Sequence, residues 1–223
     1  MSNLVIAIDG PAGAGKSTVA KRVARELGLS FLDTGAMYRA LALKAVRAGF
    51  QPNDGELIGK MGESTDIRFG TGDPQPVYLD GEDVTSLIRT PEIGEMASAI
   101  SAHTPVRRVL ATRQQHIVAG GNVTLEGRDT TTVIAPNAQV KVFLTASLEE
   151  RTRRRYEELK AKGENVDFAQ LKEMIAERDH RDSTRIDSPL RVADDATRIE
   201  TDDLSVDEVV AQIKALAAQS ATI

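Results

Sequence analysis

The chain of 223 residues has no cysteine and no tryptophan. Without cysteine there can be no disulfide, no thiolate metal site and no cysteine nucleophile. Its three histidines, His103, His116 and His180, stand far apart, which does not suit a structural zinc site. Aromatic residues make up 4% of the chain, so the core must rest on Val, Ile, Leu and Ala, and stacking surfaces for RNA bases are scarce. Positive charge is outnumbered: 28 Lys and Arg face 33 Asp and Glu, a net charge of -5. That balance argues against general binding to nucleic acid or anionic membranes, and no such partner is expected. Long apolar runs are missing as well. The longest early one, Leu4 to Ile8, is too short for a secretory leader or a membrane span, so a cytoplasmic location is expected.

What is present suits a cored globular protein, 41% hydrophobic and 27% charged, with a length appropriate to a single domain over residues 1–223. Leu4 to Ile8 reads as a strand covered on both faces. A Gly-rich turn follows, then a helix whose Val19, Val23 and Leu27 form an apolar stripe that Gly28 ends. Ser30 to Asp33 reads as a second strand and Met37 to Ala48 as a second helix. Between Ile67 and Val84, Gly70, Gly72, Pro74, Pro76 and an Asp80-Gly81 turn signal surround Val77-Tyr78-Leu79, which predicts a small antiparallel meander. Thr90-Pro91 and Thr104-Pro105 read as helix starts, a capping residue followed by proline. Val123 to Glu126 and Val140 to Thr145 are further buried strands. Ser147 with Glu150, and Ser205 with Glu208, are capping boxes that open later helices. Arg198 to Thr201 reads as the last strand, before a terminal helix carrying Val209, Val210, Ile213 and Leu216. Strands alternating with helices predict an α/β fold with a parallel central sheet and helices on both faces.

The turn after the first strand carries the chemistry. Gly10-Pro11-Ala12-Gly13-Ala14-Gly15-Lys16-Ser17 satisfies every fixed position of the phosphate-binding loop pattern, between a strand and a helix as that pattern requires. Its glycines let backbone N–H groups converge on phosphate oxygens, and the helix N-terminus adds partial positive charge. Lys16 is expected to reach the β- and γ-phosphates of a nucleoside triphosphate, and the Ser17 hydroxyl to ligate Mg²⁺. Asp9, Asp33 and Glu126 fall where strands end, the side of a parallel sheet that binds ligands, and Glu126 is the best placed to orient the water shell of the cation.

Such a loop serves kinases, GTPases, motor ATPases and DNA-handling enzymes alike. The D-x-x-G and N/T-K-x-D sequences that mark GTPases do not occur. Arginines are grouped instead: Arg151, Arg153, Arg154 and Arg155 open one helix, and Arg178, Arg181 and Arg185 recur near the end of the next. A permanently charged planar fork suits the oxygens of a transferring phosphoryl group and its flanking nucleotides. Some of these arginines equally suit surface pairs with Glu158 or Asp182 at helical spacing. Kinases for UMP, AMP or a small alcohol, and an ATP-binding regulatory protein, remain open on these residues alone.

Four blocks in order resemble the bacterial cytidylate (CMP) kinase family over nearly the whole chain. They are Ile8 to Ser17; Asp33-Thr34-Gly35-Ala36-Met37-Tyr38-Arg39; Glu126-Gly127-Arg128-Asp129; and Arg178-Asp179, Asp182-Ser183-Thr184-Arg185, Ser188-Pro189-Leu190 and Asp195-Ala196. The insert ending in Asp80 to Val84 and Ile88 to Pro91 is similar to that family's enlarged monophosphate-binding region. The resemblance implies a P-loop kinase three-layer fold with a monophosphate-binding region at about 34–108, holding the small antiparallel sheet, and a short helical lid at about 151–167. It implies ATP as donor, held with Mg²⁺ by Gly10, Gly13, Ala14, Gly15, Lys16, Ser17 and Thr18, with Arg151 and Arg154 also on the donor. The cation would sit on Ser17, with Asp33 and Glu126 reaching it through water. Thr34, Arg39, Arg128 and Arg185 would hold the acceptor phosphate; Ser98, Arg107 and Asp129 would read cytosine; Arg178 and Asp182 would contact the ribose; Tyr38 would line the pocket. Lys16, Arg128 and Arg185 would be the catalytic set, and the protein a monomer.

The chemistry of the base agrees with that division. Cytosine presents an amino donor where uracil presents an acceptor, so the Asp129 carboxylate accepts from the first and repels the second. One departure stands out. The family commonly follows G-R-D with an apolar residue and glycine, whereas Thr130-Thr131 follow here, and a β-carbon at the usual glycine is expected to alter the turn presenting Asp129.

Overall fold

The computed structural model describes residues 3–220. It consists of two compact units: one of residues up to Leu32 together with those from Ile117 onward, the other Asp33–His116.

The first unit is built on a five-stranded sheet in the order β2-β6-β1-β7-β8. Its strands are β1 (Val5–Asp9), β2 (Ser30–Asp33), β6 (Val123–Gly127), β7 (Val140–Thr145) and β8 (Thr197–Glu200). β1 runs parallel to β6 on one side and β7 on the other, and β7 runs parallel to β8. Every residue of β1 and β6 is buried, the polar Asp9, Thr124 and Glu126 included, as expected of strands covered on both faces. Helix α1 (Lys16–Leu27) turns Val19, Ala20, Val23 and Ala24 toward the sheet and ends on Gly28 in a left-handed conformation. Helix α8 (Val206–Ser220) adds Val209, Val210 and Ile213 to the same core, with Ile6, Ile8, Val142, Leu144 and Ile199 from the strands. The pair α6 (Leu148–Ala161) and α7 (Phe168–Thr184) has a small core of its own, Leu159, Leu171 and Ile175, closed by an edge-to-face contact of Tyr156 with Phe168 at 5.6 Å.

In the second unit, α2 (Thr34–Arg47) begins three residues earlier than the apolar pattern suggests, because the Asp33 carboxylate accepts from the Ala36 N–H and caps it there. The predicted meander is the antiparallel sheet of β3 (Ile67–Phe69), β4 (Val77–Leu79) and β5 (Glu82–Asp83). Asp80 and Gly81 take positive φ values of 49° and 90°, the signature of a tight hairpin turn. Helix α3 (Gly55–Glu63) has no strong sequence signal, and α4 (Pro91–Ile100) starts on the expected Thr90 cap. Helix α5 (Thr104–Ala119) includes Thr104 in its first turn, so that residue is helical and not the preceding cap. Arg113 of α5 donates to the carbonyls of Gly62, Glu63 and Thr65, tying down the end of α3.

Candidate active site

The carboxyl ends of β1 and β6 bring the loop and its partners together. Gly10 leaves the sheet with φ near 150°, and a β-carbon there would lie 1.9 Å from the Leu144 carbonyl oxygen, so no other residue fits. The loop that follows delivers Lys16 and Ser17 to the first turn of α1, where the unpaired backbone N–H groups gather. Lys16 is almost fully buried and its ammonium group donates to the Pro11 carbonyl at 2.7 Å. Burial and the nearby Arg128 guanidinium push its amine down to about 7, with Arg178 adding to this and the carboxylates of Glu126 and Asp9 opposing it. A cation held so far from its ordinary state is prepared for an anion.

Ser17 donates its hydroxyl to Glu126 at 2.6 Å. Of the three strand-end acids, Glu126 is therefore the one joined to the loop's hydroxyl. Asp33 instead caps α2 and accepts from Arg39 at 2.7 Å, and Asp9 is enclosed, accepting from Thr130 and Thr131.

Arg128, one residue past the end of β6, donates to Asp182 at 2.9 Å. Arg185 reaches toward both Asp182 at 3.6 Å and Asp129 at 3.9 Å and donates to the Ser188 carbonyl at 2.8 Å. Burial raises the Asp182 carboxyl, but Arg128, Arg178 and Arg185 together hold it below the usual range. The segment after β6 and the end of α7 thus gather guanidinium groups and carboxylates around one point, close to Lys16.

Arg151 braces the loop. Its Nε donates to the Ala146 carbonyl, and its Nη1 donates to the Ala12 carbonyl at 3.1 Å and to Asp179 at 2.6 Å. Arg154 donates to Glu150 and to both the hydroxyl and the carbonyl of Thr201. Thr18 is exposed on the first turn of α1. Asp179 carried no assignment from the sequence; its position beside Arg178 in the carboxy-terminal signature was the only signal.

The second unit collects its own set. Thr34 and Ser98 are buried, and the Arg107 guanidinium lies 5.6 Å from the Tyr38 ring centre while donating to the Ser101 carbonyl. The Thr130-Thr131 departure takes an unforeseen form: residues Thr130–Ile134 make one π-helical turn, and neither threonine adopts a left-handed backbone. The extra β-carbon causes no backbone strain and carries a hydroxyl onto Asp9.

A parallel α/β sheet with a glycine-rich phosphate loop, its lysine and hydroxyl beside a strand-end carboxylate, and arginines gathered next to them defines a P-loop kinase. A solved shikimate kinase from Bacteroides thetaiotaomicron shares this fold with a TM-score of 0.50 at 16% identity, over 96% of this chain and 98% of that one. The family model for cytidylate kinase matches residues 6–219, and the chain belongs to that family. Relatives include the cytidylate kinases of Caldanaerobacter subterraneus subsp. tengcongensis, 50% identical over 93% of this chain and 92% of that one, and of Pediococcus pentosaceus, 49% identical over the same shares. A bifunctional pantoate ligase/cytidylate kinase of Synechococcus is 47% identical over 97% of this chain, which spans 43% of that longer protein.

Proposed function

We propose that this protein moves the γ-phosphoryl group of ATP onto CMP or dCMP, giving ADP and CDP or dCDP. The observation that carries the reading is the convergence of Lys16, the Ser17–Glu126 pair and the Arg128–Asp182–Arg185 cluster at one end of the sheet, in a chain of this family. An acceptor phosphate is already an anion at neutral pH, so the reaction needs no strong general base. Alignment and charge stabilisation are sufficient.

In this reading the backbone N–H groups from Gly13 to Thr18 cradle the donor phosphates, and Lys16 takes up its proton fully as they arrive. Arg128 and Arg185 exchange part of their hold on Asp182 and Asp129 for the acceptor phosphate. Arg178 and Asp182 take the ribose, and Asp129 accepts from the cytosine amino group. Thr34, Tyr38, Arg39, Ser98 and Arg107 supply the remaining acceptor contacts, and Arg151 and Arg154 face the donor. A hydroxyl and a carboxylate 2.6 Å apart are hard oxygen donors suited to Mg²⁺, with Asp33 a further carboxylate available through water. Among the described residues no three acids or histidines form a metal cage, which fits a cation held largely by phosphates and water. Held by Ser17 and Glu126, Mg²⁺ would supply positive charge to offset that of the donor phosphates.

A coupled ADP-release assay with CMP, dCMP, UMP, AMP and shikimate as acceptors tests the proposal. CMP and dCMP should stimulate turnover most. Equal or stronger stimulation by AMP or shikimate would overturn it.

A further inference from the structure

Asp9 ends β1, immediately before Gly10, and its carboxylate is fully enclosed. Four donors surround it in two matched pairs. Oδ1 accepts from the Thr130 N–H at 2.8 Å and the Thr130 hydroxyl at 2.7 Å; Oδ2 accepts from the Thr131 N–H at 2.7 Å and the Thr131 hydroxyl at 2.6 Å. Burial pushes the carboxyl upward and these four bonds oppose it. An apolar side chain here would leave the buried Thr130 and Thr131 N–H groups without their acceptor, so the carboxylate secures this segment, but that alone does not say what the tie serves.

Its position does. The paired register of β1 with β6 stops at Asp9 opposite Gly127. Beyond that point the two chains leave the sheet, one as the phosphate loop and the other as Arg128, Asp129 and the π-helical turn. The N–H groups of Val133 and Ile134 then close that turn onto the Asp129 carbonyl. The Asp9 carboxylate is thus a tie, at the last sheet pairing, between the root of the loop and the segment bearing Arg128 and Asp129. Two of its four bonds come from hydroxyls, which only serine or threonine provides at these two positions.

We infer that Asp9, through Thr130 and Thr131, is a positioning residue that sets the phosphate loop in register with Arg128 and Asp129. This rests on the CMP kinase reading. In-line transfer is sensitive to displacements of a fraction of an ångström, so loosening the tie should be felt in the acceptor and in the rate more than in donor binding.

The test compares T130V/T131V, which removes both hydroxyls at nearly constant volume, with T130S/T131S, which keeps them. Melting temperature and steady-state kinetics are measured with ATP, CMP and UMP. The valine pair should lower kcat with CMP by about tenfold or more, raise the KM for CMP and reduce the preference for CMP over UMP. Its KM for ATP should stay within about twofold of wild type, and the serine pair should restore all values to within about twofold. Should the valine pair fail to fold, T131V against T131S makes the same comparison. A valine variant with wild-type kinetics, whatever its melting temperature, overturns the inference, as does a serine pair as impaired as the valine pair. Wild-type protein without CMP-stimulated turnover overturns the CMP kinase reading and the inference together.

Discussion

Lys16 occupies a position that is costly for a cation, buried against Arg128 and with its amine lowered to about 7. Replacing it by alanine removes that cost along with the contact to the triphosphate. Lys16→Ala should therefore reduce turnover by at least about a hundredfold with no loss of melting temperature at neutral pH; a near-normal rate would remove the lysine from the mechanism. Asp182 shows the opposite sign. Its folded carboxyl lies below the ordinary value of 3.8, so the charged form stabilises the fold above that pH, and the contribution fades as pH falls through the lower folded value. Asp182→Asn should melt below wild type above about pH 5, with the two curves converging on further acidification. Parallel curves at all pH values would contradict the assignment. Asp129→Ala should erode discrimination between CMP and UMP, read as the ratio of kcat/KM for the two. The loop residues were legible in the sequence because their spacing is fixed by the phosphate they hold. The Arg128–Asp182 pair was not, since it joins side chains 54 residues apart and no local pattern encodes it.

At the scale of elements, caps were the most legible signals. Ser205 and Glu208 make the full reciprocal box, each accepting from the backbone N–H of the other. The box at Ser147 is half made, because Asp202 takes the Ser147 N–H while Glu150 turns to Arg153 and Arg154. Helix α3 escaped notice for a physical reason. It carries three glycines, and at Gly59 a β-carbon would lie 2.6 Å from Pro105, so close packing has overridden helix propensity. The π-helical turn was equally hidden, since it is organised by Asp9 of the neighbouring strand, more than 120 residues earlier in the chain. The α6–α7 pair presents Arg151, from the start of α6, and Arg178, Asp179 and Asp182, from the end of α7, at the same end, on a core of few residues. Ile175→Ala should cost about 2–5 kcal/mol of local packing and speed amide exchange in α6 and α7 while leaving β1 and β6 protected. Uniform loss of protection across the chain would show that the pair does not unfold on its own.

For the whole molecule, alternation of strand and helix predicted the parallel sheet because only crossover connections join parallel neighbours. The antiparallel meander was likewise readable from its turn residues. The division into two compact units, the second Asp33–His116, is marked by no linker composition, and only the family resemblance set a region at about 34–108 apart. A triphosphate gripped by main-chain amides and Lys16 should give its terminal group to a nucleotide rather than to water. Incubation with γ-labelled ATP, Mg²⁺ and CMP, followed by chromatographic separation of the products, tests this directly. The label should appear in CDP in step with ADP release, with little free phosphate. Label appearing mainly as inorganic phosphate, or CDP that stays unlabelled, would contradict it.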